Sequence, residues 1–344
     1  MRAGLRFAVC CIAFVALSAP LVRVGKPETR ALSMLSAQAV TPQIAFLGDS
    51  RPHVGISPKR VMAELAGRGF PGATAHNYAE DGSDTLHHHA ILVTGLLRRP
   101  DPPRVVVLAT NPLAFDSTRK NNRLDQLPPS VLPSLARAGA PLELLLDVGT
   151  MSIFPPYRAR PKIKETVELT GEKVGFALAK RQSALGLSFE VRPERREYKH
   201  YEDGQDPFVV LRDWEYGFQL SFGGYTARYD KLVLGELHFR LVEEMADRAR
   251  EASCLLVLLE MPSAPPYRTS FGARPIHEEW RTRMSQIAKE HGAVMISHAA
   301  FSDDERAFGD PGHMQEPLAA AYSTFLAKEL AENEAVKAAL AKER

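Results

Sequence analysis

Four short loops of this sequence hold the side chains best suited to covalent chemistry. They are Gly48-Asp49-Ser50, the stretch from Asn77 to Gly82, Thr110-Asn111, and Asp310-Pro311-Gly312-His313. A serine hydroxyl is a poor nucleophile unless a base accepts its proton during attack. His313 offers that base. Asp310, three residues earlier, can fix the imidazole tautomer and stabilise the imidazolium that forms. Pro311 and Gly312 between them suit a tight turn that brings the two side chains together. His53 stands near Ser50 in sequence and is a second candidate base, but its sequence neighbours offer no equivalent of Asp310.

The elements around these loops predict where they stand. Gln43 to Leu47 is an apolar run closed by Gly48, which reads as a buried strand and a turn. Ser57-Pro58 opens a helix through Val61, Met62 and Leu65, with serine as N-cap and proline at the first position. A weak strand near Ala73 precedes the second loop. Ser83 or Asp84 caps a helix through Leu86, Ile91 and Leu96, and Arg104 to Ala109 is a β-branched strand. After the middle of the chain come a long helix from about Tyr229 to Arg250 and a strand from Cys254 to Glu260. A helix from about His277 to Glu290, a strand from Ala293 to Ser297, and a last helix from Glu316 follow. This alternation predicts a three-layer α/β/α sandwich on a parallel sheet of about five strands. In such sheets the functional loops gather at the carboxyl ends of the strands, and the first three loops all follow strands.

Taken in order, the four loops resemble the signature blocks of the SGNH/GDSL hydrolase-like family. Gly48-Asp49-Ser50-Arg51 followed by Gly55-Ile56-Ser57-Pro58 resembles a membrane-anchored branch of it. The resemblance covers Gln43 to about Asp116 and Tyr225 to about Leu330. It implies an SGNH, flavodoxin-like fold with Ser50 as nucleophile, His313 as base and Asp310 as its orienting partner. It also implies an oxyanion hole made by the backbone amides of Ser50 and Gly82 and the side chain of Asn111. Two blocks depart from the family pattern. Arg51 and Pro52 replace the usual leucine and serine, and Ala109-Thr110-Asn111-Pro112 lacks the aspartate that usually follows the asparagine. What holds Asn111 is therefore open. Similar anchored proteins take part in acyl transfer to cell-envelope polymers. The resemblance thus implies a serine-dependent esterase or O-acyltransferase acting on an acyl ester of a glycan or lipid, with a membrane acyl-transfer partner. The alternative is a non-catalytic module that binds polysaccharide or scaffolds an assembly. No cofactor is implied, because side chains and backbone amides suffice.

The remaining features set boundaries. Net charge is only +2 on 344 residues, which gives no electrostatic footprint for nucleic acid. The cysteines are Cys10, Cys11 and Cys254, without metal-ligand spacing. His87-His88-His89 lies on a predicted helix, where neighbours point in different directions and cannot chelate one metal together; solvated or partly buried histidines are expected. Arg51 suits either an anionic substrate or a pairing with Asp49. Arg2 and Arg6 before the uncharged run Phe7–Val22 read as an export signal, cleaved or retained as an anchor. Residues 1–26 are thus assigned to signal or anchor, 27–42 to a linker, and 43–344 to the folded domain, placed outside the cytoplasm. An inserted region at about 117–225 carries a helix from Ile163 to Leu185. It also carries an aromatic stretch from Tyr198 through Tyr201, Trp214 and Tyr216 to Phe218, suited to a lid, to sugar stacking or to packing on the sheet.

Overall fold

Strands buried on both faces read as unbroken apolar runs, and those runs form the centre of this protein. The computed structural model describes residues 30–118, 124–153 and 207–341. The apolar run 7–22, the segment 163–185 and the tyrosines at 198 and 201 lie outside the described residues. In chain order the main elements are α1 (Arg30–Ala37), β1 (Ile44–Gly48), α2 (Ser50–Gly55), α3 (Pro58–Gly67), β2 (Ala75–Asn77), α4 (Thr85–Ala90) and β3 (Val105–Thr110). Then come α5 (Leu132–Arg137), α6 (Leu142–Ile153), α7 (Pro207–Tyr229), α8 (Glu236–Glu251), β4 (Leu255–Glu260), α9 (Pro275–His291) and β5 (Val294–Ser297). A hairpin of β6 (Phe308–Asp310) and β7 (His313–Met314), then α10 (Glu316–Glu332) and α11 (Glu334–Ala341), complete the order.

Five strands make one parallel sheet in the order β2-β1-β3-β4-β5. Chain order reverses between β1 and β3, and an open α/β sheet forms its ligand crevice at the carboxyl ends of such a pair. Register sets Gly48 opposite Ala109, so the loops carrying Ser50 and Asn111 leave the sheet side by side. Alternation along each strand divides the core in two. Ala45, Leu47, Val106, Leu108, Leu256 and Leu258 meet Phe239, Val242 and Met245 of α8 and Trp280 and Met284 of α9. Ile44, Phe46, Val105, Val107, Val257 and Leu259 meet Val61 and Leu65 of α3 and Tyr322, Leu326 and Leu330 of α10. The result is the three-layer sandwich that the alternating pattern predicts.

The helix expected from about Tyr229 to Arg250 begins only at Glu236, and Tyr229 ends the preceding helix α7. Between α7 and α8 the backbone turns aside to pair with the chain after β3: Ser117 N–H donates to Val233 C=O at 2.9 Å, and Gly235 N–H to Phe115 C=O at 2.8 Å. Of the roles open to the aromatic stretch, its described part shows the packing one. Trp214 Nε1 donates to the Phe308 carbonyl at 2.6 Å, and Phe218 joins the core cluster that includes Phe308 and Met314. The α7 helix therefore supports the β6–β7 hairpin. No helix among the described residues is long and apolar enough to cross a membrane.

Candidate active site

The site begins at a glycine no other residue can replace without strain. Gly48 ends β1 with φ +151°, and a Cβ there would lie 2.5 Å from the Ala109 carbonyl oxygen and closer still to Pro52 Cγ. The chain can therefore turn sharply while β1 and β3 stay in contact. Asp49 then caps α2. Its Oδ1 accepts the Arg51 backbone N–H at 2.9 Å, and its Oδ2 accepts Asn111 Nδ2 at 2.9 Å. This second bond answers what holds Asn111: the first block supplies the carboxylate that the third block lacks. Asn111 Oδ1 in turn accepts the Leu113 N–H at 3.0 Å, which fixes the side-chain amide from both ends.

Ser50, at the first position of α2, meets His313 across 263 residues of sequence. Ser50 Oγ lies 2.6 Å from His313 Nε2, and His313 Nδ1 lies 2.7 Å from Asp310 Oδ2. An ionised carboxylate can only accept, so Nδ1 carries the proton and Nε2 is left to accept from the Ser50 hydroxyl. Asp310 is itself held: its Oδ1 accepts the backbone N–H groups of Gly312 at 2.8 Å and His313 at 3.0 Å. Burial works against the charge of Asp310, but the hydrogen bond and charge of His313, the Gly312 amide and Arg51 outweigh it and lower its pKa. Burial likewise works against protonated His313, and the hydrogen bond and charge of Asp310 outweigh it, raising the imidazole above its ordinary value.

Gly82 lies in a loop tied to the same strand end. Glu80 N–H donates to the Gly48 carbonyl at 3.0 Å, and Ser83 Oγ donates to it at 2.8 Å. Gly82 takes φ +69°, the left-handed conformation that glycine adopts readily. Asn77 joins this loop to α2 by donating Nδ2 to the carbonyls of Pro52 at 2.7 Å and Ile56 at 3.0 Å. The loops of Ser50, Gly82 and Asn111 thus share anchors at Gly48 and Asp49.

The other candidates sort themselves by contact. His53 does have a carboxylate, contrary to expectation: Asp81 Oδ1 lies 2.6 Å from its Nδ1 in an exposed pair. That partner comes from the second loop, which sequence neighbours could not reveal, but the Ser50 hydroxyl meets His313. The three consecutive histidines are buried rather than solvated, and each faces a different partner. His87 Nδ1 lies 2.7 Å from Asp84, His88 Nε2 lies 2.9 Å from Ser83 Oγ, and His89 Nε2 lies 3.0 Å from Glu244. Because the Ser83 hydroxyl spends its proton on Gly48, His88 Nε2 must donate to it. No metal-binding group of histidine, cysteine or acidic residues occurs among the described residues. Cys254 is buried and free. Arg51 forms no ion pair with Asp49; its Nη2 donates to the Tyr267 hydroxyl at 3.1 Å.

The protein is a parallel α/β/α sandwich in which a serine after β1 and an aspartate and a histidine of the β6–β7 hairpin form one hydrogen-bonded relay. No family model and no curated protein matches the chain in sequence. Among solved structures it is similar to the crystal structure of TesA, at TM-score 0.34 and 14% identity, over 87% of this chain and 97% of that one.

Proposed function

We propose that the protein is a serine-dependent hydrolase or acyltransferase of acyl esters. The observation that carries this reading is the Ser50–His313–Asp310 relay, with 2.6 and 2.7 Å between the successive groups. Ser50 Oγ attacks the ester carbonyl carbon while its proton passes to His313 Nε2, and Asp310 stabilises the imidazolium. The oxyanion is received by the amides of Ser50 and Gly82 and by Asn111 Nδ2, whose second N–H remains after Asp49 takes the first. Collapse breaks the bond to the leaving alkoxide, which takes the proton back from His313 and leaves an acyl-Ser50. Water or an acceptor hydroxyl, deprotonated by the same imidazole, then releases the acyl group. We further assign the substrate to a glycan or lipid of the cell envelope, reached outside the cytoplasm with a membrane partner. That placement is supported by the Arg-flanked apolar run at 7–22 and by the sequence resemblance.

The experiment is covalent labelling with a fluorophosphonate, which needs no knowledge of the substrate, together with turnover of an aryl acetate. The wild type should label and turn over, and Ser50→Ala should do neither. Labelling that persists in Ser50→Ala would move the nucleophile elsewhere. A folded wild type that neither labels nor turns over would favour a non-catalytic, polysaccharide-binding role.

A further inference from the structure

The residue after Ser50 is a buried cation that makes no ion pair among the described residues. Arg51 is 7% exposed, and its guanidinium lies over the rings of Tyr267 at 4.9 Å and Tyr225 at 5.8 Å. Its one side-chain hydrogen bond among the described residues is from Nη2 to Tyr267. The Tyr267 hydroxyl is also engaged with that of Tyr229 at 2.5 Å. Nε and Nη1 have no acceptor among the described residues. The Tyr225 hydroxyl likewise has no hydrogen-bond partner among the described residues.

These groups converge on the backbone next to the base. A Cβ on Gly312 would lie 2.5 Å from the Tyr225 hydroxyl, 2.9 Å from Arg51 Nε and 3.1 Å from Arg51 Nη2. The absence of a side chain at Gly312 leaves room for a guanidinium and a phenol beside His313. A buried charge normally requires a partner, because desolvation is otherwise uncompensated. A guanidinium fork with a neighbouring hydroxyl matches the paired oxygens of a carboxylate or phosphate. The favourable ring faces supply part of the compensation, but they leave Nε and Nη1 unused.

We propose that Arg51 and the Tyr225 hydroxyl form an anion-binding subsite beside His313, so that the preferred ester carries an oxyanion group near its scissile carbonyl. This rests on the ester-cleaving reading and narrows its substrate class. The test compares 4-nitrophenyl butyrate with 4-nitrophenyl hemisuccinate, which differ mainly in a terminal carboxylate. The wild type should favour the hemisuccinate by tenfold or more in kcat/KM. Arg51→Met, which keeps bulk and removes charge, should reduce that ratio at least tenfold, and Tyr225→Phe should reduce it severalfold. Succinate and inorganic phosphate, each tested as a competitive inhibitor of butyrate turnover, tell a carboxylate site from a phosphate site. A wild-type ratio near one would overturn the proposal without any variant. So would an Arg51→Met that slows both esters in the same proportion, which would make Arg51 a structural counter-charge to Asp49 and Asp310. Fluorophosphonate labelling keeps the two readings apart. Labelling without anion preference removes only the subsite. If no ester is turned over and Ser50 does not label, thermal stabilisation by succinate or phosphate that Arg51→Met abolishes keeps the subsite, and its absence removes it.

Discussion

The carboxylate of Asp49 holds the side-chain amide of Asn111 at 2.9 Å while capping the helix that begins with Ser50. One side chain thereby sets the helix of the proposed nucleophile and a proposed oxyanion donor in fixed relation. Asp49→Ala should lose the cap, at about 1 kcal/mol of stability. It should also release Asn111, lowering kcat by roughly tenfold to a hundredfold with less change in KM. Asp49→Asn, which keeps an acceptor oxygen, should recover part of both. Thermal melts and steady-state kinetics on an aryl acetate check this. An Asp49→Ala enzyme with unchanged kcat would detach Asn111 from the oxyanion role.

The pH profile should report His313. Its pKa is raised because the hydrogen bond and charge of Asp310 outweigh the opposing effect of burial. The base works in its neutral form, so kcat/KM should rise with pH through a midpoint above the ordinary histidine value of about 6.5. Asp310→Asn removes the charge that raises it, and the midpoint should move down while the rate falls. Rates from pH 5 to 9 for both proteins decide the matter, and a wild-type midpoint below 6 would contradict the relay.

Much of this was legible in the sequence because its cause is local. The runs at Ile44–Gly48, Val105–Thr110 and Leu255–Glu260 announce buried parallel strands by composition alone. Asp310 and His313 are joined by a four-residue hairpin whose Pro-Gly centre is readable. What could not be read depends on contacts between distant segments. The Asp81 partner of His53, the Asp49 anchor of Asn111 and the tyrosines around Arg51 lie 28, 62 and more than 170 residues away. The break before α8 escaped for the same reason, since it exists to pair with residues 115–117. The burial of three consecutive histidines was equally hidden, because their partners, apart from Ser83 and Asp84, lie on another helix.

Stability should fall in mild acid. Burial pushes His88 and His298 down to about 4. It also lowers His277, where burial outweighs the hydrogen bond and charge of Glu260. In the unfolded chain these imidazoles titrate near 6.5. Between about pH 6.5 and 4 the unfolded state therefore binds protons that the native state refuses, and native stability decreases as pH drops. His313 acts in the opposite sense: its contribution is complete below about 6.5 and is lost as pH rises through its raised value. Glu260, opposed by burial but held at about 2 by His277, Arg281 and Ser297, contributes its loss only at lower pH. Scanning calorimetry should show Tm falling by on the order of 5 °C from pH 7 to 5, with a shallower slope in His298→Asn. A flat profile would mean that these imidazoles protonate in the native state.

Gly48→Ala should be destabilising despite its small size. The φ of +151° and the 2.5 Å approach of a Cβ to the Ala109 carbonyl oxygen force β1 and β3 apart or twist the turn, at roughly 1–3 kcal/mol. Because Ser50 follows two residues later, fluorophosphonate labelling should slow as well. Alanine at Gly67 meets nothing within 4 Å and serves as the control, with Tm and labelling rate as readouts.

The hydrogen bond between Ser50 and His313 closes a separation of 263 residues, and that has a consequence in time. A ribosome delivers the serine, its cap and the first strands long before it delivers the imidazole. Contacts of such long range form late, because the loop between them must first be ordered. An unfinished chain thus holds a hydroxyl without its imidazole, and the proposed nucleophile gains its base only after residue 313 has been made.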